Sequence, residues 1–129
     1  MCPVYINRIA SIHAESSNEK PYFSAQEPDY KEMITNANLR RRMSRMIKMG
    51  VACGLECLKD ISPEKVDAII TATGLGCLAD TEKFMNALMD NREQMLNPTA
   101  FIQSTFNTVG AQLALLLKIH AYNVTYVHR

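Results

Sequence analysis

No apolar run of about 18 residues or more occurs in the sequence, so no stretch of it is expected to span a bilayer. An excess of charge is missing too: the formal net charge is +1, which gives no drive toward nucleic acid or an anionic membrane. The start, Met-Cys-Pro-Val-Tyr-Ile, lacks the basic region and apolar stretch of a secretory signal, and the expected compartment is the cytoplasm. Cysteine is sparse. The four thiols (Cys2, Cys53, Cys57, Cys77) would suffice for two disulfides, but beside eight methionines and no secretory pattern they are expected to be reduced. Cys53 and Cys57 stand four apart, where a helix would offer two soft ligands to a metal. No second Cys/His pair follows at finger-like spacing, so ordinary core thiols are expected and no metal site. The glycines of Thr73-Gly74-Leu75-Gly76-Cys77 complete no dinucleotide pattern, and no Gly-Lys-Ser/Thr follows. A tight strand-to-helix crossing is expected there, with no cofactor.

What is present suits one domain over residues 1–129, with a hydrophobic fraction of 47% sufficient for a core. Its last quarter, Asn97 to Arg129, organises the rest. An entry loop leads to an apolar helix from about Phe106 to Ile119, in which Val109, Leu113, Leu116 and Leu117 recur at helical spacing and small or apolar residues fill the other sides. That helix is expected to be buried nearly all round, with Ser104 or Thr105 at its start. Tyr122, Val124 and Tyr126 then alternate with Asn123 and Thr125, the period of a strand.

Earlier in the chain, residues 3–12 read as a first strand, because Val4 and Ile6 alternate with Tyr5 and Asn7. Residues 13–38 turn polar and read as an irregular surface excursion pinned by Tyr22, Phe23 and Tyr30. A long helix is expected from about Leu39 to Lys59, its stripe formed by Met43, Ile47, Val51, Leu55 and Leu58. Gly50 and Gly54 on a neighbouring face would let another backbone approach closely. Val66 to Ala72 reads as a parallel strand covered on both faces, followed by a helix capped by Asp80 or Thr81 and carrying Phe84 and Leu88. Alternating strands and helical crossovers give an α/β layered fold with a mainly parallel sheet.

The basic start of the long helix, Arg40, Arg41, Arg42 and Arg45, runs against a helix dipole and needs an offset. One account pairs these arginines with carboxylates of the Glu27-to-Glu32 loop or leaves them in solvent. The other makes them a partner-binding cluster for an acidic protein, since such clusters raise encounter rates more than final affinity.

Asn97-Pro98-Thr99 followed by Ser104, Asn107, Gly110 and Gln112, then Lys118-Ile119-His120 and the strand to Val127, resembles the segment of β-ketoacyl synthases that leads into their nucleophilic cysteine. Arg42-Met43-Ser44-Arg45 and Thr73-Gly74-Leu75-Gly76 stand in the order that family uses. Over roughly residues 40 to 129 the sequence is most similar to ketoacyl-synthase-like N-terminal domains of aryl polyene and related pigment pathways. The resemblance implies a thiolase-like half-domain, the N-terminal portion of a β-ketoacyl-[acyl carrier protein] synthase-like protein of fatty acid or polyketide biosynthesis.

It supplies no catalytic centre. Where the family has two small residues just before its cysteine, this sequence has His128 and Arg129, and His13, His120 and His128 match none of the family's catalytic positions. The expectation is a polypeptide inactive alone, related to an acyltransferase family. The alternative is a non-catalytic partner of an active synthase, of the kind that chain-length factors are. Self-association or pairing with a synthase subunit is expected on either reading, and under the partner-binding account of the arginines acyl carrier protein is the candidate acidic partner.

Overall fold

The computed structural model describes residues 3–14 and 25–128. Its helices are α1 (Tyr30–Met33), α2 (Ala37–Arg42), α3 (Arg45–Leu58), α4 (Leu78–Asp90), α5 (Pro98–Ser104) and α6 (Thr108–Leu117), and its strands are β1 (Ala68–Thr73) and β2 (Tyr122–Val127). The strands pair in parallel, Ala68 beside Tyr122 through Thr73 beside Val127, so the chain between them, α4 to α6, is the crossover a parallel pair requires. This is the layered α/β arrangement expected.

The long helix is two helices. Met43 and Ser44 are extended between α2 and α3, and Met43 is buried in the core with Ile34, Ile47 and Val51. Swinging Met43 inward costs the helix its continuity, and each half is restarted by a residue that favours the position before a helix. Asn36 accepts hydrogen bonds from the backbone of Asn38 and Leu39, and Ser44 occupies the corresponding place before α3. The break also resolves the dipole conflict, because Arg40, Arg41 and Arg42 now lie in the last turn of α2, where positive charge is favoured.

Close packing of α3 on α6 rests on two glycines, as their spacing predicts. A Cβ at Gly50 would lie 2.8 Å from Val109 Cγ1, and one at Gly54 would lie 2.5 Å from Leu113 Cδ1. On its other side α6 meets the sheet through Gly110, where a Cβ would fall 2.8 Å from Asn123 Oδ1 and 3.5 Å from Thr71 Cγ2. Helix α6 therefore covers the face that carries Ile69, Thr71 and Thr125, and the Thr71 and Thr125 hydroxyls hydrogen-bond across it at 2.6 Å.

Several expectations fail, each for a tertiary reason. The sheet is covered on one face only: Ile69 is 8% exposed, whereas Ile70, Tyr122 and Tyr126 on the other face are 66%, 66% and 62% exposed. Helix α6, by contrast, comes close to the expectation, being buried or half-buried at every position from Thr108 to Leu117 except Leu115. It is shorter than expected because the entry loop contains α5, which meets α6 at 109°. Neither Ser104 nor Thr105 occupies the position before α6; that residue is Asn107, without a side-chain cap. Residues 3–12 form no strand, having no neighbour to pair with among the described residues, and Val4, Tyr5, Ile6 and Ile9 are exposed. Arg8 holds this segment instead, donating to the Glu56 and Lys59 carbonyls at 3.2 and 2.9 Å and facing Asp60 at 3.5 Å.

The excursion is not irregular throughout. Ala14 and Ala25 form an antiparallel bridge, and α1 and the start of α2 lie within residues 13–38. Tyr22 and Phe23 fall outside the described residues. Helix α4 begins at Leu78 with Cys77 before it, earlier than Asp80 or Thr81.

Candidate functional site

Two places gather chemically active side chains: the corner between α2 and α3, and the turn from β1 into α4. At the corner the side chains of Arg40, Arg41 and Arg45 each have a different partner. Arg45 Nε donates to Glu27 Oε1 at 2.5 Å, and Tyr30 donates its hydroxyl to Glu27 Oε2 at 2.6 Å. The Tyr30 hydrogen bond, and after it the one from Arg45, hold the Glu27 carboxyl below the usual range. Burial, then the bond to Glu27, push the Tyr30 hydroxyl up. Glu27 thereby ties the loop that leads into α1 to the start of α3.

Arg40 donates to the Ile34 carbonyl at 2.5 Å, and Arg41 to Asn38 Oδ1 at 2.6 Å. The backbone carbonyl of Arg42 accepts from Gln103 Nε2, which joins the corner to α5. The Arg42 guanidinium has no partner among the described residues, and Arg41 and Arg42 are both exposed. The four arginines thus divide. Arg45 follows the carboxylate-pairing account, Arg40 is half-buried and closes the end of α1, and Arg41 and Arg42 face outward from a favourable helix end.

In the turn after β1, Thr73 Oγ1 accepts from the Gly76 backbone N–H at 2.9 Å. Gly76 has φ +61°, and a Cβ there would meet the Phe106 ring at 2.5 Å. Only glycine satisfies both the left-handed backbone and the close approach. The turn therefore brings β1 into α4 tightly and delivers Cys77 into the core, 5% exposed. Burial foremost, and then the charge of Asp80, push its thiol up. Cys53 is pushed up as well, by burial and by its neighbour Cys57. A thiol disfavoured as thiolate is a poor nucleophile, so neither cysteine is activated for covalent chemistry.

The histidines do not compensate. His13 Nδ1 lies 3.2 Å from Ser11 Oγ at the base of the excursion, while His120 and His128 stand at opposite ends of β2. Among the described residues no group of three or more His, Cys, Asp or Glu side chains is arranged to hold a metal ion. Sequence reasoning singled out the arginines and offered carboxylates of the Glu27-to-Glu32 loop as their partners, of which Arg45–Glu27 is one; it did not foresee that the Tyr30 hydroxyl completes the chain. It also missed the Asn36 cap, an asparagine standing just before the basic run.

Comparison with known proteins places these features. No curated protein matches the sequence. Among solved structures, one chain of the complex between the ketosynthase ApeO and its chain length factor ApeC, from Xenorhabdus doucetiae, superposes with a TM-score of 0.59 at 24% identity, covering 88% of this chain and 43% of that one. The fold is therefore that of a thiolase-like ketosynthase half-domain, and this chain spans less than half the length of that structural relative. The family model for the β-ketoacyl synthase N-terminal domain matches residues 13–125, which include both the arginine corner and the strand-to-helix turn. By that match, over most of its length, the chain belongs to the β-ketoacyl synthase N-terminal domain family.

Proposed function

We propose that these 129 residues act as the N-terminal portion of a β-ketoacyl-[acyl carrier protein] synthase-like protein and have no condensing activity by themselves. The observation that carries this reading is the state of the thiols: Cys77, which follows the glycine turn, is buried and disfavoured as thiolate, and the nearby charge of Asp80 opposes its ionisation further. Turnover of malonyl- and acyl-carrier-protein substrates is expected at background, and mass spectrometry after incubation with an acyl thioester is expected to show no transfer faster than to free thiol. Rapid acylation of Cys77 would end the proposal.

Association is the second part of the reading. Strand β2 has one side paired with β1 and no strand on the other among the described residues, over a segment, Tyr122–Val127, with no charged residue and no proline to discourage pairing. The uncovered face beside it adds apolar surface. Self-association or pairing with a synthase-type subunit follows, and a strictly monomeric profile in sedimentation at tens of micromolar would oppose it. A role as the non-catalytic partner of an active synthase is favoured by one feature, His128 at the end of β2, where the family carries small residues. Arg40, Arg41, Arg42 and Arg45 form the proposed partner-binding corner, with Arg41 and Arg42 as the outward pair for an acidic protein such as acyl carrier protein.

A further inference from the structure

Helix α4 has two apolar sides, and among the described residues only one is covered. Phe84 packs against Phe101 of α5, ring centroids 5.5 Å apart, and Ala87 and Leu88 on that side are half-buried. On the outer side Leu78, Met85 and Met89 are 56%, 47% and 73% exposed. With Glu82 they follow steps of four, three and four residues, which at 3.6 residues per turn confines them to an arc of about 60°. Such spacing forms a seam that another helix can occupy. A glutamate within that seam decides what kind of helix.

We propose that Leu78, Glu82, Met85 and Met89 form a docking face for an amphipathic helix of a partner chain that carries a basic residue opposite Glu82. Charge selects this occupant over a second copy of the same face. A second α4 would bring another Glu82 into the seam, while the nearest cation on the helix, Lys83, points about 100° away round the axis. Two carboxylates and no cation would then share one desolvated strip, whereas a facing lysine or arginine would pair and fix the register. Methionines suit this use, since their flexible thioethers adapt to the partner's shape. The inference rests on the pairing proposed above and adds that the α4 contact is made with a different chain.

The test uses the full chain and two synthetic amphipathic helices with leucines at the seam positions, one with lysine and one with glutamate opposite Glu82, titrated by calorimetry. The lysine peptide is expected to bind at least about tenfold more tightly than the glutamate peptide, the scale of one interfacial ion pair. Glu82→Lys is expected to reverse that preference, and Met85→Glu, checked for helix content by circular dichroism, to abolish both. Equal binding of the two peptides, or binding of neither, overturns the proposal. So does a chain whose self-association disappears in Met85→Glu, because α4 would then be a contact between copies; that result would leave the broader association reading standing.

Discussion

The two faces of the sheet differ in a direction that composition does not foretell. The face toward α6 carries Ile69, Thr71 and Thr73 with Asn123, Thr125 and Val127, and it is the more closed one, at Ile69, Thr71, Thr73 and Thr125. The opposite face, with Ala68, Ile70 and Ala72 beside Tyr122, Val124 and Tyr126, is richer in apolar and aromatic groups and is largely open. Burial here follows the path of the crossover, which Gly110 allows to lie directly on the threonine face. A parallel sheet ordinarily has both faces covered, so the richer face is a surface suited to association.

The sharpest way to break this comparison is to charge one residue on each face. Ile69→Asp is expected to prevent folding, because an unpaired carboxylate would be buried against α6 at a cost of several kcal/mol, a large share of a stability typically near 5–15 kcal/mol. Ile70→Asp, one residue away on the open face, is expected to shift stability by no more than about 0.5 kcal/mol and to reduce self-association. Urea melts followed by circular dichroism read both. Equal destabilisation would show that both faces are closed.

Gly54→Val comes next. Its side chain would begin 2.5 Å from Leu113 Cδ1, and overpacking of this kind typically costs about 1–3 kcal/mol, read as a lowered denaturation midpoint at unchanged slope. Val124→Asp is expected to be milder, about 1 kcal/mol, since Val124 is half-buried on the open face. The sequence pattern, taken with coverage on both faces, points instead to complete loss of folding for that variant.

That difference shows what could be read in advance and what could not. The stripe of Ile47 and Val51, the close approach at Gly50 and Gly54, and the two strand segments themselves were legible, because each depends on residues near in sequence or on one repeated period, and the parallel order followed from the helices between them. Coverage of a sheet face was not, since it depends on where α6 lies rather than on the strand itself. Residues 3–12 have a strand's alternation without a partner to complete it. At the candidate site the arginines were legible as a cluster, but their division was not. It follows from Met43 turning into the core, which converts the start of one helix into the end of another.

The smallest expected effect concerns Glu27. Its carboxyl is held low in the folded protein by Tyr30 and Arg45, so its stabilising contribution is fully present above the unfolded value near 4.5 and is lost as pH falls through the lower folded value. Glu27→Gln should therefore lower the melting temperature slightly at pH 7, and the gap from the unmodified protein should close in acid. A gap that widens as the pH falls would contradict the Tyr30–Glu27–Arg45 chain.

The central claim, one closed and one open sheet face, is tested most directly by hydroxyl-radical footprinting of the unmodified chain at a dilution where sedimentation shows monomer. The account predicts rapid modification of Tyr122, Tyr126 and Ile70 and protection of Ile69 and Leu113. Protection of Tyr122 and Tyr126 at that dilution would mean that the face is already covered within the chain, and the account of an open, partner-seeking sheet would be wrong.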